Sequence, residues 1–249
     1  MALPSGQALP WKHSYYLMID FSRRSYKKEL LDRDDIPFQD ICRNMEELEY
    51  INSKLGGHAI TIHGFKTIAR ERKSLSVCEI GCGGGNNLIV LKNWCLRKNV
   101  NLDCTGIDIN TNCISYATKN PKAEGIKFIS SDYKDSILNP PPDIIFCSLF
   151  THHFAEKELV EMMRWMEANS SLGFFINDLH RHPVAYYFIK LVAKIFSRSY
   201  LVKNDAPLSV LRSFRKNEWK NILQNAGIMN YTIKWKWAFR HLVIVQRSQ

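Results

Sequence analysis

Val77-Cys78-Glu79-Ile80-Gly81-Cys82-Gly83-Gly84-Gly85-Asn86 is the stretch whose reading decides the fold. An apolar run closing on an acid reads as a buried strand, and glycines at alternate positions 81, 83 and 85 read as a tight turn behind it. Glycine reaches φ > 0 without strain and leaves no Cβ between the backbone and a bound molecule. The helix expected over 87–98 then aims its positive N-terminus at that molecule. A dinucleotide fingerprint, G-x-G-x-x-G, needs its third glycine at 86, where this chain carries Asn86. Glu79 stands at the strand end, where an acid repels a pyrophosphate and attracts a cation.

Downstream, strands alternate with helices, the mark of a parallel sheet with helical crossovers. Strands are expected over 76–80, 101–107, 126–130, 142–148, 172–177, 231–237 and 239–246, and further helices over 110–119, 156–167 and 217–226. The last two strands adjoin, which predicts a hairpin at the sheet edge. In open parallel sheets the residues just beyond the carboxyl ends of the strands form one site. Asp108 closes the second strand about 20 residues beyond the glycine turn, the register of an acid that holds ribose hydroxyls. The third strand runs into Asp132-Tyr133, the fourth through Ser148 into His152-His153, and the fifth into Asn177-Asp178-Leu179-His180-Arg181-His182.

With these motifs in this order, residues 75 onward resemble the class I S-adenosylmethionine-dependent methyltransferases, whose first motif is an acid-x-G-x-G-x-G turn. The His-His pair is similar to that of the ubiquinone and menaquinone type of small-molecule methyltransferases. The resemblance implies an α/β fold: a Rossmann-like, seven-stranded, mostly parallel sheet with an antiparallel last strand and helices on both faces. It implies S-adenosylmethionine as cofactor, leaving as S-adenosylhomocysteine. The residues it assigns to the cofactor are Glu79, Gly81, Cys82, Gly83, Gly85 and Asn86 in the first motif, with Ser148 beside the methionine part. Asp108 is carried over as the ribose ligand, Ile109 as the adenine packing residue, and Asp132 with Tyr133 as the contact to the adenine amino group. For Asp108 and Asp132, helix or turn capping is the competing role.

Imidazole suits methyl transfer to a hydroxyl, because a base of pKa about 7 takes the proton as the methyl moves. His153, His152 and His180 are the candidate catalytic residues, and Arg181, Tyr186 and Arg212 the candidate acceptor contacts. The His152-His153 pair has helix capping as its competing role. Four histidines close in space would suit a metal, but the family mostly needs none, and no metal is expected.

Around this core, residues 14–35 are read as a helix, 40–55 as a second with an apolar stripe that Gly56-Gly57 stops, and 61–72 as a third. Residues 1–70 thus form a helical extension or lid, and 71–249 the main domain. The segment 183–212 is too long for a structureless loop and reads as a lid insertion of one helix or two.

The chain has 249 residues, 45% of them hydrophobic, enough for one domain with a sizeable core. No run approaches the length of a membrane span, residues 1–10 do not read as a secretory leader, and seven irregularly spaced cysteines suit reduced thiols, so a cytoplasmic location is expected. The net charge of +10 is compatible with nucleic acid or an anionic membrane surface, the latter as a peripheral contact. The basic residues are scattered, without the aromatic interleaving of a single-strand binder. The function expected is methyl transfer to a small molecule, on an aromatic, quinone-like or polyketide-like hydroxyl. The alternatives are a nucleic-acid methyltransferase and a non-catalytic S-adenosylmethionine-binding regulatory or scaffold protein. Residues 148–151 lack the polar-Pro-Pro-aromatic motif of base amino methylases.

Overall fold

The computed structural model describes residues 19–33 and 35–247. Seven strands, β1 (Ser74–Ile80), β2 (Asn101–Asp108), β3 (Ile126–Ser130), β4 (Ile144–Ser148), β5 (Gly173–Leu179), β6 (Tyr231–Lys236) and β7 (Arg240–Gln246), form one sheet in the order β3-β2-β1-β4-β5-β7-β6. The first five pair in parallel, and β7 runs antiparallel to both neighbours. The hairpin expected at the edge leaves only β6 there. Leu242, Val243, Ile244 and Val245 of β7 are buried on both faces, whereas β6 alternates half-buried and exposed residues.

Strand alternation divides the core into two layers. Cys78, Ile80, Ile145, Cys147, Phe174 and Ile176 face α5 (Glu156–Asn169) and α8 (Lys216–Asn225), where Met162, Met163 and Trp219 are fully buried. Val77, Ile144, Phe146 and Phe175 face the opposite way, onto α2 (Gly57–Ala69) and α3 (Asn86–Leu96). With α4 (Thr111–Lys119) beside β2 and β3, helices cover both faces of the sheet.

Three differences from the sequence reading matter for the site. Residues 19–33 are not helical but an extended strap with a single 3-10 turn at Leu30–Asp32, while residues 14–18 of that expected helix lie outside the described residues. The strap's apolar residues lack a helical period, and its polar groups find partners elsewhere in the fold. Only Leu55 and Gly56, the latter at φ 76°, separate α1 (Phe38–Lys54) from α2, which starts at Gly57 rather than 61. Since α2 packs on the sheet, the expected extension over 1–70 divides: α2 belongs to the sheet's own layer, and α1 lies against α4 and α7 at the strand ends. The 183–212 insertion is two helices, α6 (Pro183–Phe196) and α7 (Tyr200–Arg212), packed on each other, and Ile51 of α1 joins Ala193 and Val202 in their small core.

Candidate active site

Between β1 and α3 the backbone turns with Gly81, Gly83 and Gly85 at φ 65°, 50° and 74°. A Cβ on Gly81 would lie 2.1 Å from the Phe150 ring, so only glycine lets the chain after β4 close over this turn. At Gly83 a Cβ would meet nothing nearer than Met45 Sδ at 3.6 Å, which leaves open space beside the turn at this position. The turn opens into a cavity of about 760 Å³ between the strand ends and the α1, α6 and α7 layer. Glu79, Gly81, Cys82, Gly83 and Asn86 line it. Gly85 does not: it sits at the N-terminus of α3, and the space of its missing Cβ is taken by Phe128.

Glu79 is buried, and burial pushes its carboxyl well above the usual range, against the pull of a hydrogen bond from Asn87. Asn87 Nδ2 donates to Oε1 at 2.8 Å, and Oε2 is buried without a partner. Asn87 is oriented in turn by His58, whose other ring nitrogen lies 2.7 Å from Glu49. Asp108 accepts the amides of Gly83 and Asn110, both at 2.8 Å, one on each oxygen. Burial raises its carboxyl against those two bonds. Each oxygen keeps a lone pair for a hydroxyl. Ile109 follows, 71% exposed on the cavity wall, and Ser148 lines the far side.

Asp132 and Tyr133 are not on this wall. Asp132 caps the turn after β3 through the Lys134 amide at 3.0 Å, and Tyr133 is buried in the core edge-on to Trp165.

The opposite end of the cavity is polar and anchored by the strap. His152 is 3% exposed, with Nδ1 2.8 Å from Asp178 Oδ1 and Nε2 3.6 Å from Glu29 Oε1. Burial would raise the Asp178 carboxyl, but His152, the Thr151 hydroxyl and the Leu179 amide hold it well below the carboxylate range. The His153 ring lies tilted against His152 with centroids 4.5 Å apart, and reaches Asp32 at 3.3 Å and Glu29 at 3.8 Å. Glu29 is pushed up to about 7 by burial, opposed by His153, Ser209 and Arg212. One atom of each of Glu29, His152 and His153 lies within 4.8 Å of the others, the reach of a divalent cation. Positive charge already stands there: Arg212 is 3.9 Å from Glu29 and 3.5 Å from Asp32.

Four further expectations are corrected. His180 turns from the cavity to His241 at 4.5 Å and His182 at 5.6 Å, so the four histidines divide into two groups; burial lowers His180 to about 4. Arg181 is 1% exposed and wholly used as a clip, donating to the carbonyls of Phe21, Ser22 and Ser213 and to Glu218. Tyr186 packs edge-on against Phe21. Arg212 donates to the carbonyls of His152 and His153 at 3.1 and 2.8 Å and of Lys27 at 2.7 Å, so it positions the histidine turn rather than lining the acceptor end. Arg24 adds bonds to the carbonyls of His152, Phe154 and Arg212.

The residues that sequence reasoning missed are Glu29, Asp32, Asp178, the Asn87-His58-Glu49 relay and Arg240. Arg240 lines the cavity, nearly fully buried, with Nη2 bonded to Asn52 at 3.0 Å and Nε and Nη1 unpartnered. Asp178 stood in the polar run after β5, where a signal was present. Glu29 carried none, because its partners are remote in sequence.

Residues 77–169 match the family model described as a methyltransferase domain. No curated protein matches the chain by sequence. Among solved structures, the plantazolicin methyltransferase BpumL, in complex with a triazolic desmethylPZN analog and SAH, superposes with a TM-score of 0.61 at 17% identity, over 88% of this chain and 93% of that one. Human N-acetylserotonin methyltransferase in complex with SAM gives 0.61 at 16%, over 91% and 63%. Magnesium protoporphyrin IX methyltransferase (ChlM) from Synechocystis with bound SAM gives 0.53 at 13%, over 87% and 100%. The chain thus has the Rossmann-like methyltransferase fold.

Proposed function

We propose that this protein is an S-adenosylmethionine-dependent methyltransferase acting on a hydroxyl of a small, largely apolar acceptor of the aromatic, quinone-like or polyketide-like kind. The observation that carries the reading is a single cavity joining the glycine turn and Asp108 to the Asp178-backed His152. The similar structures crystallised with SAM or SAH support the cofactor. The residues present also fit it. Glu79 Oε2, buried without a partner, suits the ammonium; the open space beside Gly83 and the remaining lone pairs of Asp108 suit the ribose side; exposed Ile109 suits the adenine face.

When bound, the cofactor supplies an electrophilic methyl group. The chain's own part is positioning and proton transfer. An ionised Asp178 accepts the Nδ1 proton of His152, which leaves the lone pair on Nε2. That nitrogen takes the acceptor's hydroxyl proton, and Glu29, 3.6 Å beyond, receives it next. Ile41, Met45 and Leu48 of α1, with Phe188, Ile189 and Val210 of the lid, give the acceptor end apolar walls. Arg240 adds a buried cation for a polar or ionised acceptor group.

Transfer of labelled methyl from S-adenosylmethionine to a panel of phenols and hydroquinones tests this. His152→Gln should lower kcat by about a hundredfold or more while S-adenosylhomocysteine affinity stays within about twofold. Cofactor binding with no transfer to any hydroxyl would return the protein to the non-catalytic reading.

A further inference from the structure

The outer face of α6 carries an apolar stripe outside the core, of which only Phe188 also lines the cavity. Val184, Tyr187, Leu191 and Ile195 are 55%, 58%, 56% and 62% exposed, and Phe188 is 41% exposed. At about 100° per residue these five positions fall within an arc of about 100° on the helix. Phe196 and Tyr200 continue the surface past the helix end, 65% and 48% exposed. Apolar exposure on this scale marks an interaction surface.

Its two margins differ. Lys190 and Lys194 are exposed along one side, with Arg198 beyond the helix C-terminus, in a chain whose net charge is +10. Along the other side the helix turns Ala185 and Ile189 into the wall of the cavity, and Phe188 belongs to both. A helix with an apolar outer stripe, a lysine flank and aromatic side chains at its rim has the composition of an element that lies in a lipid interface.

We propose that α6 docks this protein on an anionic phospholipid surface, stripe inserted and lysines on the headgroups. The contact proposed is peripheral, and no helix among the described residues is long and apolar enough to cross a membrane. The inference rests on the methyltransferase reading for its consequence: the acceptor is a lipophilic, membrane-dissolved hydroxyl compound. It reaches the apolar end of the cavity from the bilayer along Phe188, Ala185 and Ile189, while the cofactor enters from water at the glycine turn.

Co-sedimentation of the full chain tests this, using vesicles of phosphatidylcholine with about one third phosphatidylglycerol beside phosphatidylcholine alone. The chain should pellet with the anionic vesicles and be released by salt. Lys190→Gln with Lys194→Gln should reduce partitioning about 30-fold, since each lysine near the surface contributes roughly a factor of five. Leu191→Glu with Ile195→Glu, which touches neither the core nor the cavity, should abolish it and leave calorimetric S-adenosylhomocysteine binding intact. Wild type that binds S-adenosylhomocysteine yet stays in the supernatant with both vesicles overturns the docking and leaves the methyltransferase reading standing. So does equal pelleting of L191E/I195E, or a light-scattering dimer that these substitutions turn into a monomer, which gives the face to a second copy. Pelleting without S-adenosylhomocysteine binding keeps the surface and removes the function assigned behind it.

Discussion

His152 is placed by groups from three parts of the chain. Asp178 from β5 fixes one ring nitrogen, Glu29 from the strap faces the other, and Arg212 from α7 holds the carbonyl. This explains why the pair was visible in sequence and its function only half so. Two adjacent histidines after a strand are conspicuous, but their acidic partners require the β4 to β5 register, Ser148 opposite Asn177, and a strap whose Glu29 stands far upstream in the chain. Glu29 can be tested through its titration. Its carboxyl is raised to about 7, so folding favours the protonated form, and its contribution to stability is full below the ordinary glutamate range and lost as pH rises towards 7. Unfolding titrations should show roughly 3 kcal/mol of this loss across that interval, absent in Glu29→Gln. The rate should rise through the same pH as Glu29 ionises and can accept a proton, and E29Q should flatten that limb. A wild-type rate that is flat from pH 5 to 8 would remove Glu29 from the proton path.

At the scale of elements, the strands of the sheet and the helices α3, α4, α5 and α8 were legible, because each carries its own apolar period and its own stop signal. The strap was not. Its extended form depends on Arg24, which donates to the carbonyls of His152 and Phe154, and on Arg181, which donates to those of Phe21 and Ser22, all more than a hundred positions apart along the chain. Likewise α2 was read as a peripheral helix because its sequence does not record what it meets. It lies directly on β5, and a Cβ on Gly64 would come within 2.5 Å of the Phe175 ring. Phe175 is stacked at 4.9 Å on Phe146 and has no room to yield. Gly64→Ala should therefore cost about 1–3 kcal/mol and lower Tm by roughly 3–10 °C. An unchanged Tm would show that α2 packs more loosely than the stacked rings require.

For the molecule as a whole, the parallel sheet sets the function by geometry. β1, β2, β4 and β5 all end on one side, and the strap with α1, α6 and α7 closes that side into a single cavity. One end of it is glycine amides and buried acids, the other apolar walls around a histidine. The order of the motifs along the chain was enough to bring Glu79, Gly81, Cys82, Gly83, Asn86 and Asp108 to the first end, but not Gly85, Asp132 or Tyr133. The second comes from segments that meet only in the fold, which is why Arg181 and Tyr186, plausible by position, turned out to be structural.

Methyl transfer by this protein requires that the first end take the cofactor. Calorimetric titration with S-adenosylhomocysteine should give one site per chain, weakened at least about tenfold by Asp108→Ala, which removes charged acceptors for the ribose hydroxyls. Unchanged affinity in D108A, or tighter binding of a nicotinamide dinucleotide than of S-adenosylhomocysteine, would contradict it.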